Sequence, residues 1–199
     1  MPNRMVLLRL LLIAVAAFTA AVAAVAFWPK PERASQATGE ALIGGPFALV
    51  DAEGKRRTEA EFRGKHMLVF FGFTNCPDFC PTALYTITRA LEKLGPKAEK
   101  LAPVFITVDP ERDTPAQLKN YAQNFDKRIA MLTGTPEEIA AAARAYRVYY
   151  AKRPLEKAGE YTVDHSAYIY LLGPDGRFIT HFRHAISPDD LAEALKKRL

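Results

Sequence analysis

Met67 to Phe73 is almost wholly apolar and rich in Phe and Val. A short run apolar at both alternating sets of positions predicts a central strand buried on both faces. Val104 to Val108 repeats the pattern and predicts a second such strand. Between them Leu84, Ile87, Leu91 and Leu94 recur at spacings of three and four. That spacing puts them on one face of a helix, which Gly95-Pro96 stops. Thr114-Pro115-Ala116-Gln117 reads as a capping box with proline at the first helical position, opening a helix to about Phe125. Thr135-Pro136-Glu137-Glu138 repeats the device before an Ala-rich helix ending near Tyr146, and Ser187-Pro188-Asp189-Asp190 resembles it before a C-terminal helix.

Shorter segments complete the pattern. Pro46 to Val50 reads as a strand that turns at Asp51-Ala52-Glu53-Gly54, and Ala130-Met131-Leu132 as a short strand between two helices. Val163 to Leu172 alternates and predicts one strand. The Gly173-Pro174-Asp175-Gly176 turn leads to its return strand, Arg177 to Arg183. Strands and helices thus alternate before a final hairpin and helix. The order predicts an α/β fold, with a parallel-type central sheet, helices on both faces and an antiparallel addition. No internal repeat appears.

The first 42 residues follow a different rule. Leu10 to Trp28 carries no charge, and its only polar side chain is Thr19. As a helix it is long enough to cross a hydrocarbon core of about 30 Å. Phe27 and Trp28 close it as a membrane-surface aromatic belt would, and Pro29 and Pro31 end it. The rival reading is a cleaved signal peptide, with Ala24-Val25-Ala26 before the cut. The apolar run exceeds the usual h-region of about 7–15 residues, which favours an uncleaved anchor. Residues 1–9 then form a cytoplasmic n-region, 10–28 a transmembrane helix, 29–42 a small, polar tether and 43–199 the folded domain. Either reading exports the domain to an oxidising compartment.

Composition changes this picture little. Of 199 residues, 49% are hydrophobic and 25% charged, as in ordinary globular chains. The net charge of +5 is scattered among acidic residues, which speaks for a solvated surface and against nucleic-acid binding.

The two cysteines change it more, because they are the only ones and lie four residues apart. Cys76-Pro77-Asp78-Phe79-Cys80 joins a buried strand to a helix. Sites in open α/β sheets gather there, at the carboxyl ends of strands. With Pro81 as first helical residue, Cys80 stands at the helix cap, where the dipole favours a thiolate. Over one helical turn, side chains four apart come about 5–6 Å from each other. Both sulfurs can then turn onto one soft ion or, with a small adjustment, close a redox-active disulfide. A purely structural disulfide closing so short a loop would stabilise little.

A trigonal site needs a third donor. Four histidines are available. His66 precedes the central strand at the end away from the cysteines, and His181 and His184 lie late in the hairpin. His165 opens a strand after a polar loop, with Asp164 beside it. As far as the residues alone go, it is either a ligand or a hydrogen-bonded histidine at a strand start.

Three motifs resolve that choice by resemblance. Gly72-Phe73-Thr74-Asn75-Cys76-Pro77-Asp78-Phe79-Cys80-Pro81-Thr82 resembles the signature of the SCO/SenC copper chaperones. So do Val108-Asp109-Pro110-Glu111-Arg112-Asp113-Thr114-Pro115 and Asp164-His165-Ser166. The last is followed by Tyr170-Leu171-Leu172-Gly173-Pro174-Asp175-Gly176, and the matches run in order from Gly44 to the C-terminus. The resemblance implies a thioredoxin-like fold behind an N-terminal membrane anchor, with Cys76, Cys80 and His165 as copper ligands. It implies assembly of the copper A centre in cytochrome c oxidase subunit II, and an upstream copper donor protein. The domain is then expected on the periplasmic side of the inner membrane. One local departure is Asn75, where many relatives carry histidine. Asp164 is expected to orient His165. Asp109 is a further candidate beside the site, and Asp113 is expected to shape the turn before Thr114.

Other chemistries are weighed against this one. A thiol–disulfide oxidoreductase acting on the copper-receiving partner is the alternative. Against a general reductase, three residues rather than two separate the cysteines, and no proline precedes the Thr162 to Ser166 segment. A peroxidase of the peroxiredoxin type lacks its proline, since Leu68 and Phe71 stand near that place. Two Cys and one His would also suit zinc.

Overall fold

The computed structural model describes residues 43–199. The expected n-region, anchor and tether lie outside the described residues. Among the described residues no helix is long and apolar enough to cross a membrane.

The strands are β1 (Ala48–Asp51), β2 (Arg56–Thr58), β3 (His66–Gly72), β4 (Leu101–Thr107), β5 (Ala130–Thr133), β6 (Tyr150–Pro154), β7 (Tyr161–His165), β8 (Tyr168–Leu172) and β9 (Phe178–Arg183). The helices are α1 (Phe79–Leu94), α2 (Pro115–Ala122), α3 (Pro136–Ala145) and α4 (Pro188–Lys196). Seven strands form one sheet in the order β2-β1-β5-β4-β3-β8-β9. Its centre, β5-β4-β3, is parallel, and the flanking pairs are antiparallel.

The apolar runs behave as their composition predicts, for Met67 to Gly72 is buried throughout. Neighbouring residues on a strand face opposite sides. Phe70 meets Phe105 of β4, which in turn meets Tyr121 of α2. Phe71 points the other way and meets Tyr146, just beyond α3. Helices therefore cover both faces. On the first of these, α1 packs against α4, and Thr88 of α1 accepts a hydrogen bond from the Asp126 N–H beyond α2. β4 starts at Leu101, three residues before the apolar run. Pro103 is tolerated there because β5 pairs only from Val104 onward.

The capping signals are partly honoured. Thr135 and Glu138 form the full box, and the Ser187 hydroxyl accepts from the Asp190 N–H. Thr114 caps α2, but the Gln117 side chain reaches Thr74 at 3.4 Å instead of closing the box. α2 ends at Ala122, short of Phe125.

One expected strand fails. Val163 to Leu172 is not one strand. The chain breaks at Ser166-Ala167, where the Ser166 N–H and hydroxyl bond the Tyr149 backbone. β7 then pairs with β6 in a separate two-stranded sheet, while β8 joins the main one. β6 itself went unforeseen because it is charged and mostly exposed, with no apolar alternation. β2 was equally silent, being three polar residues.

Phe71 is fully buried, its ring 5.3 Å from that of Tyr146. Phe71→Ala should cost about 3–5 kcal/mol. Chemical denaturation should show this as a lower midpoint with an unchanged slope.

Candidate metal centre

β3 ends at Gly72, and the chain turns through Phe73 to Asp78 into α1. The helix begins two residues before Pro81, so Cys80 sits inside its first turn rather than at its cap. The Asp78 side chain accepts no capping bond. The Cys76 sulfur takes that place, receiving the Cys80 N–H at 3.4 Å. The sulfur favoured by the helix terminus is thus Cys76, not Cys80 as expected.

The two sulfurs are chemically unequal. The Cys80 thiol hydrogen-bonds Cys76 and, with His165 and the local N–H groups, lowers the Cys76 pKa to about 4 against the opposing effect of burial. The same sharing pushes Cys80 far up, reinforced by its burial. Cys76 is the thiolate and is half-buried, while Cys80 is the proton holder and is sealed in.

Gly72 makes that sealing possible. A Cβ on it would lie 3.0 Å from Cys80 Sγ, 3.0 Å from Phe105 Cε2 and 3.1 Å from Phe70 Cε1. None of those neighbours is a flexible chain end. Sequence reasoning missed this role, although a glycine closing an apolar strand signals close approach.

His165 closes β7 rather than opening a strand. Its Nε2 lies 3.5 Å from Cys80 Sγ. Its Nδ1 lies 3.1 Å from the Ser166 carbonyl oxygen. A carbonyl only accepts, so Nδ1 carries a proton, and this bond fixes the ring with Nε2 turned to the sulfurs. The ring rests edge-on against Phe73 and Phe70. Of the other histidines, His184 packs on Phe79, His181 lies among Tyr168, Tyr170 and Phe178, and His66 begins β3.

The acidic candidates do not meet the sulfurs. Asp164 is exposed and pairs with Arg153 at 3.2 Å. Adjacent on the strand, it faces away from His165, and the Ser166 carbonyl takes the orienting role expected of it. Asp109 is fully buried and accepts the Tyr161 hydroxyl at 2.8 Å. Asp113 does more than shape a turn. Fully buried, it accepts from the Thr74 N–H (3.0 Å), the Thr74 hydroxyl (2.6 Å) and the Thr107 hydroxyl (2.5 Å). Burial raises its pKa. The cysteine loop is therefore fastened to the sheet two residues before Cys76.

Cys76 and His165 line a groove of about 350 Å³ together with Phe73, Pro77, Phe79 and Ala167. Among the described residues no three His, Cys, Asp or Glu side chains are closed around a metal position. Cys80 and His165 are nevertheless well spaced. Metal–sulfur and metal–nitrogen bonds of about 2.3 and 2.0 Å put two donors about 3.5 Å apart at a tetrahedral angle and about 3.7 Å apart at a trigonal one, close to the 3.5 Å between Cys80 Sγ and His165 Nε2. Two sulfurs and one imidazole form a soft donor set suited to copper(I) or zinc.

Residues 35–199 match the SCO1/SenC family model. This chain belongs to the SCO1/SenC family. The mitochondrial SCO2 homolog of Mus musculus is 42% identical over 175 residues, covering 86% of this chain and 68% of that protein. The copper-bound structure of Bradyrhizobium japonicum ScoI is 48% identical, with TM-score 0.73, covering 79% of this chain and 99% of that one. BsSco, a Sco-family cytochrome c oxidase assembly protein in which a disulfide switch has been identified, is 28% identical, with TM-score 0.60. It covers 78% of this chain and 92% of that one. The chain spans between about half and three quarters of the length of the curated relatives it matches. The mixed α/β sheet is the thioredoxin-like fold of these SCO1/SenC relatives.

In the reduced, metal-free protein, iodoacetamide should alkylate Cys76 at a nearly constant rate down to about pH 5. The rate should fall only as pH drops through about 4, where the thiolate is protonated. An ordinary thiol already loses about tenfold per unit below about pH 8.5. Mass spectrometry should find Cys80 unmodified throughout. Gly72→Ala should raise Cys80 alkylation, because its sulfur or the Phe105 ring must shift.

Proposed function

We propose that this chain is a copper metallochaperone, binding one copper ion through Cys76, Cys80 and His165. It receives copper from a donor protein and delivers it to the copper A centre of cytochrome c oxidase subunit II. It works from the periplasmic side of the inner membrane, tethered by the apolar segment at 10–28. The observation that carries the reading is the 3.5 Å approach of His165 Nε2 to Cys80 Sγ. The copper-bound Bradyrhizobium japonicum relative supports the choice of ion, and the assembly role of BsSco supports the destination. Three donors leave copper(I) with room for an incoming ligand, so a receiving thiolate can bind before one of the chain's own donors leaves.

Copper titration of the reduced full chain tests the ligand set. One equivalent should bind, and X-ray absorption should report two sulfurs and one nitrogen. Cys76→Ser and Cys80→Ser should abolish tight binding, and His165→Ala should remove the nitrogen. Unchanged affinity and spectrum in His165→Ala would exclude the histidine. Preference for zinc over copper(I) would change the cargo.

A second reading, reduction of the partner's cysteines, is favoured by the unequal sulfurs. Cys76 is the half-exposed, low-pKa attacking thiolate such chemistry uses. Rapid reduction of the disulfide of oxidised subunit II by the metal-free chain, insensitive to His165→Ala, would establish it instead of delivery.

A further inference from the structure

The hairpin that carries His165 is not part of the main sheet. β6 and β7 pair only with each other. Main-sheet hydrogen bonding reaches back only to Ala167, whose carbonyl accepts the His184 N–H, so the hairpin ahead of it needs a further contact to set its seat against the cysteine loop.

The loop between β4 and α2 supplies it from two neighbouring residues. Asp113 turns to the cysteine loop through Thr74, as described. Arg112 turns to the other half. Its Nη1 donates to the Tyr161 carbonyl at 2.9 Å, and its Nε donates to the Asp109 carboxylate. The guanidinium lies 3.8 Å from the centre of the Tyr161 ring and 5.9 Å from that of Phe73. Asp109 also holds the Tyr161 hydroxyl. Tyr161 opens the strand that His165 closes, and the Phe73 ring meets the His165 ring edge-on at 5.8 Å. One planar cation thus touches both the strand that delivers the imidazole and the ring on which it rests. Lysine could not do both, having neither the fork nor the flat face. Lys152 also lies over Tyr161, but it is exposed and pairs with exposed Glu111, so it adds little.

We propose that Arg112, oriented by Asp109, is the positioning residue that seats the His165 hairpin against the cysteine loop. It thereby sets how well the imidazole reaches an ion held by the two sulfurs. The proposal rests on the copper-binding reading above.

The test uses the full chain as wild type, Arg112→Met, Arg112→Lys, His165→Ala and the Arg112→Met/His165→Ala double variant. Copper(I) affinity is measured by competition, ligand number by X-ray absorption, and the His165 ring by proton NMR of the metal-free protein. Arg112→Met should keep both sulfur ligands, weaken or lose the nitrogen, and lower affinity about tenfold or more. Arg112→Lys should fall between. The double variant should bind no worse than His165→Ala, because the arginine acts through the histidine. Without metal, Arg112→Met should shift the His165 resonances and leave those of His66 in place. Wild-type nitrogen coordination and resonances in Arg112→Met would overturn the proposal, as would an equal further loss in the double variant. If His165→Ala binds copper like wild type, the copper reading falls while the metal-free resonances still decide the seating. If Arg112→Met does not fold, Arg112→Lys and Tyr161→Phe carry the same comparisons.

Discussion

Seven residue pairs join β3 to β4 in parallel, from His66 opposite Leu101 to Gly72 opposite Thr107. Because the strands run the same way, the loops leaving them start side by side. One loop carries the cysteines, and the other carries Asp109, Arg112 and Asp113. The Val108 N–H donates to the Gly72 carbonyl at 2.8 Å and extends the ladder into both loops. A slip of one residue would put Phe71 or Phe73 where Gly72 lies beneath the Cys80 sulfur. That sulfur would then have no room. The register of two buried strands thus fixes the depth of one sulfur and the reach of the Asp113 carboxylate.

Burial then divides the labour between the sulfurs. Phe70, Phe105 and the open face of Gly72 enclose Cys80, and the first turn of α1 leaves Cys76 half-exposed with N–H groups directed at it. Identical side chains four residues apart acquire opposite proton affinities because they share one hydrogen bond, and deeper burial raises the inner one further. The imidazole joins them from outside the sheet, carried on a hairpin whose footing is the β4–α2 loop. The site is therefore composite, with a rigid floor from the sheet and one donor supplied by an appended arm.

The sheet centre was legible because β3 and β4 are apolar on both faces, a pattern few other structures produce. The helices announced themselves through Thr135, Ser187 and the Leu84 to Leu94 stripe. The hairpin arm did not. β6 is polar and half-solvated, so nothing in its pattern distinguishes a strand from a loop. That omission also misplaced His165, which closes a strand in one sheet instead of opening a strand in another. The cysteines were placed correctly at the strand end, but which of them becomes the thiolate depends on where α1 begins. Pro81 suggested a start two residues too late. The sequence proximity of Asp164 to His165 was misleading for a simpler reason, since neighbours on a strand point apart. Asp113 and Arg112, by contrast, act on residues 39 and 49 positions away, and no local pattern reports such contacts.

The sealed position of Cys80 also orders events in time. That sulfur is fully buried, while Cys76 and His165 line the neighbouring groove. An ion held by the proposed three donors would therefore loosen from the outer thiolate or the imidazole first and from the inner sulfur last. On the proposed reading the inner sulfur would govern how long cargo stays, and the outer pair which acceptors can begin to take it. On that same reading a receiving protein would need to compete only for the outer face, without entering the core to start the exchange.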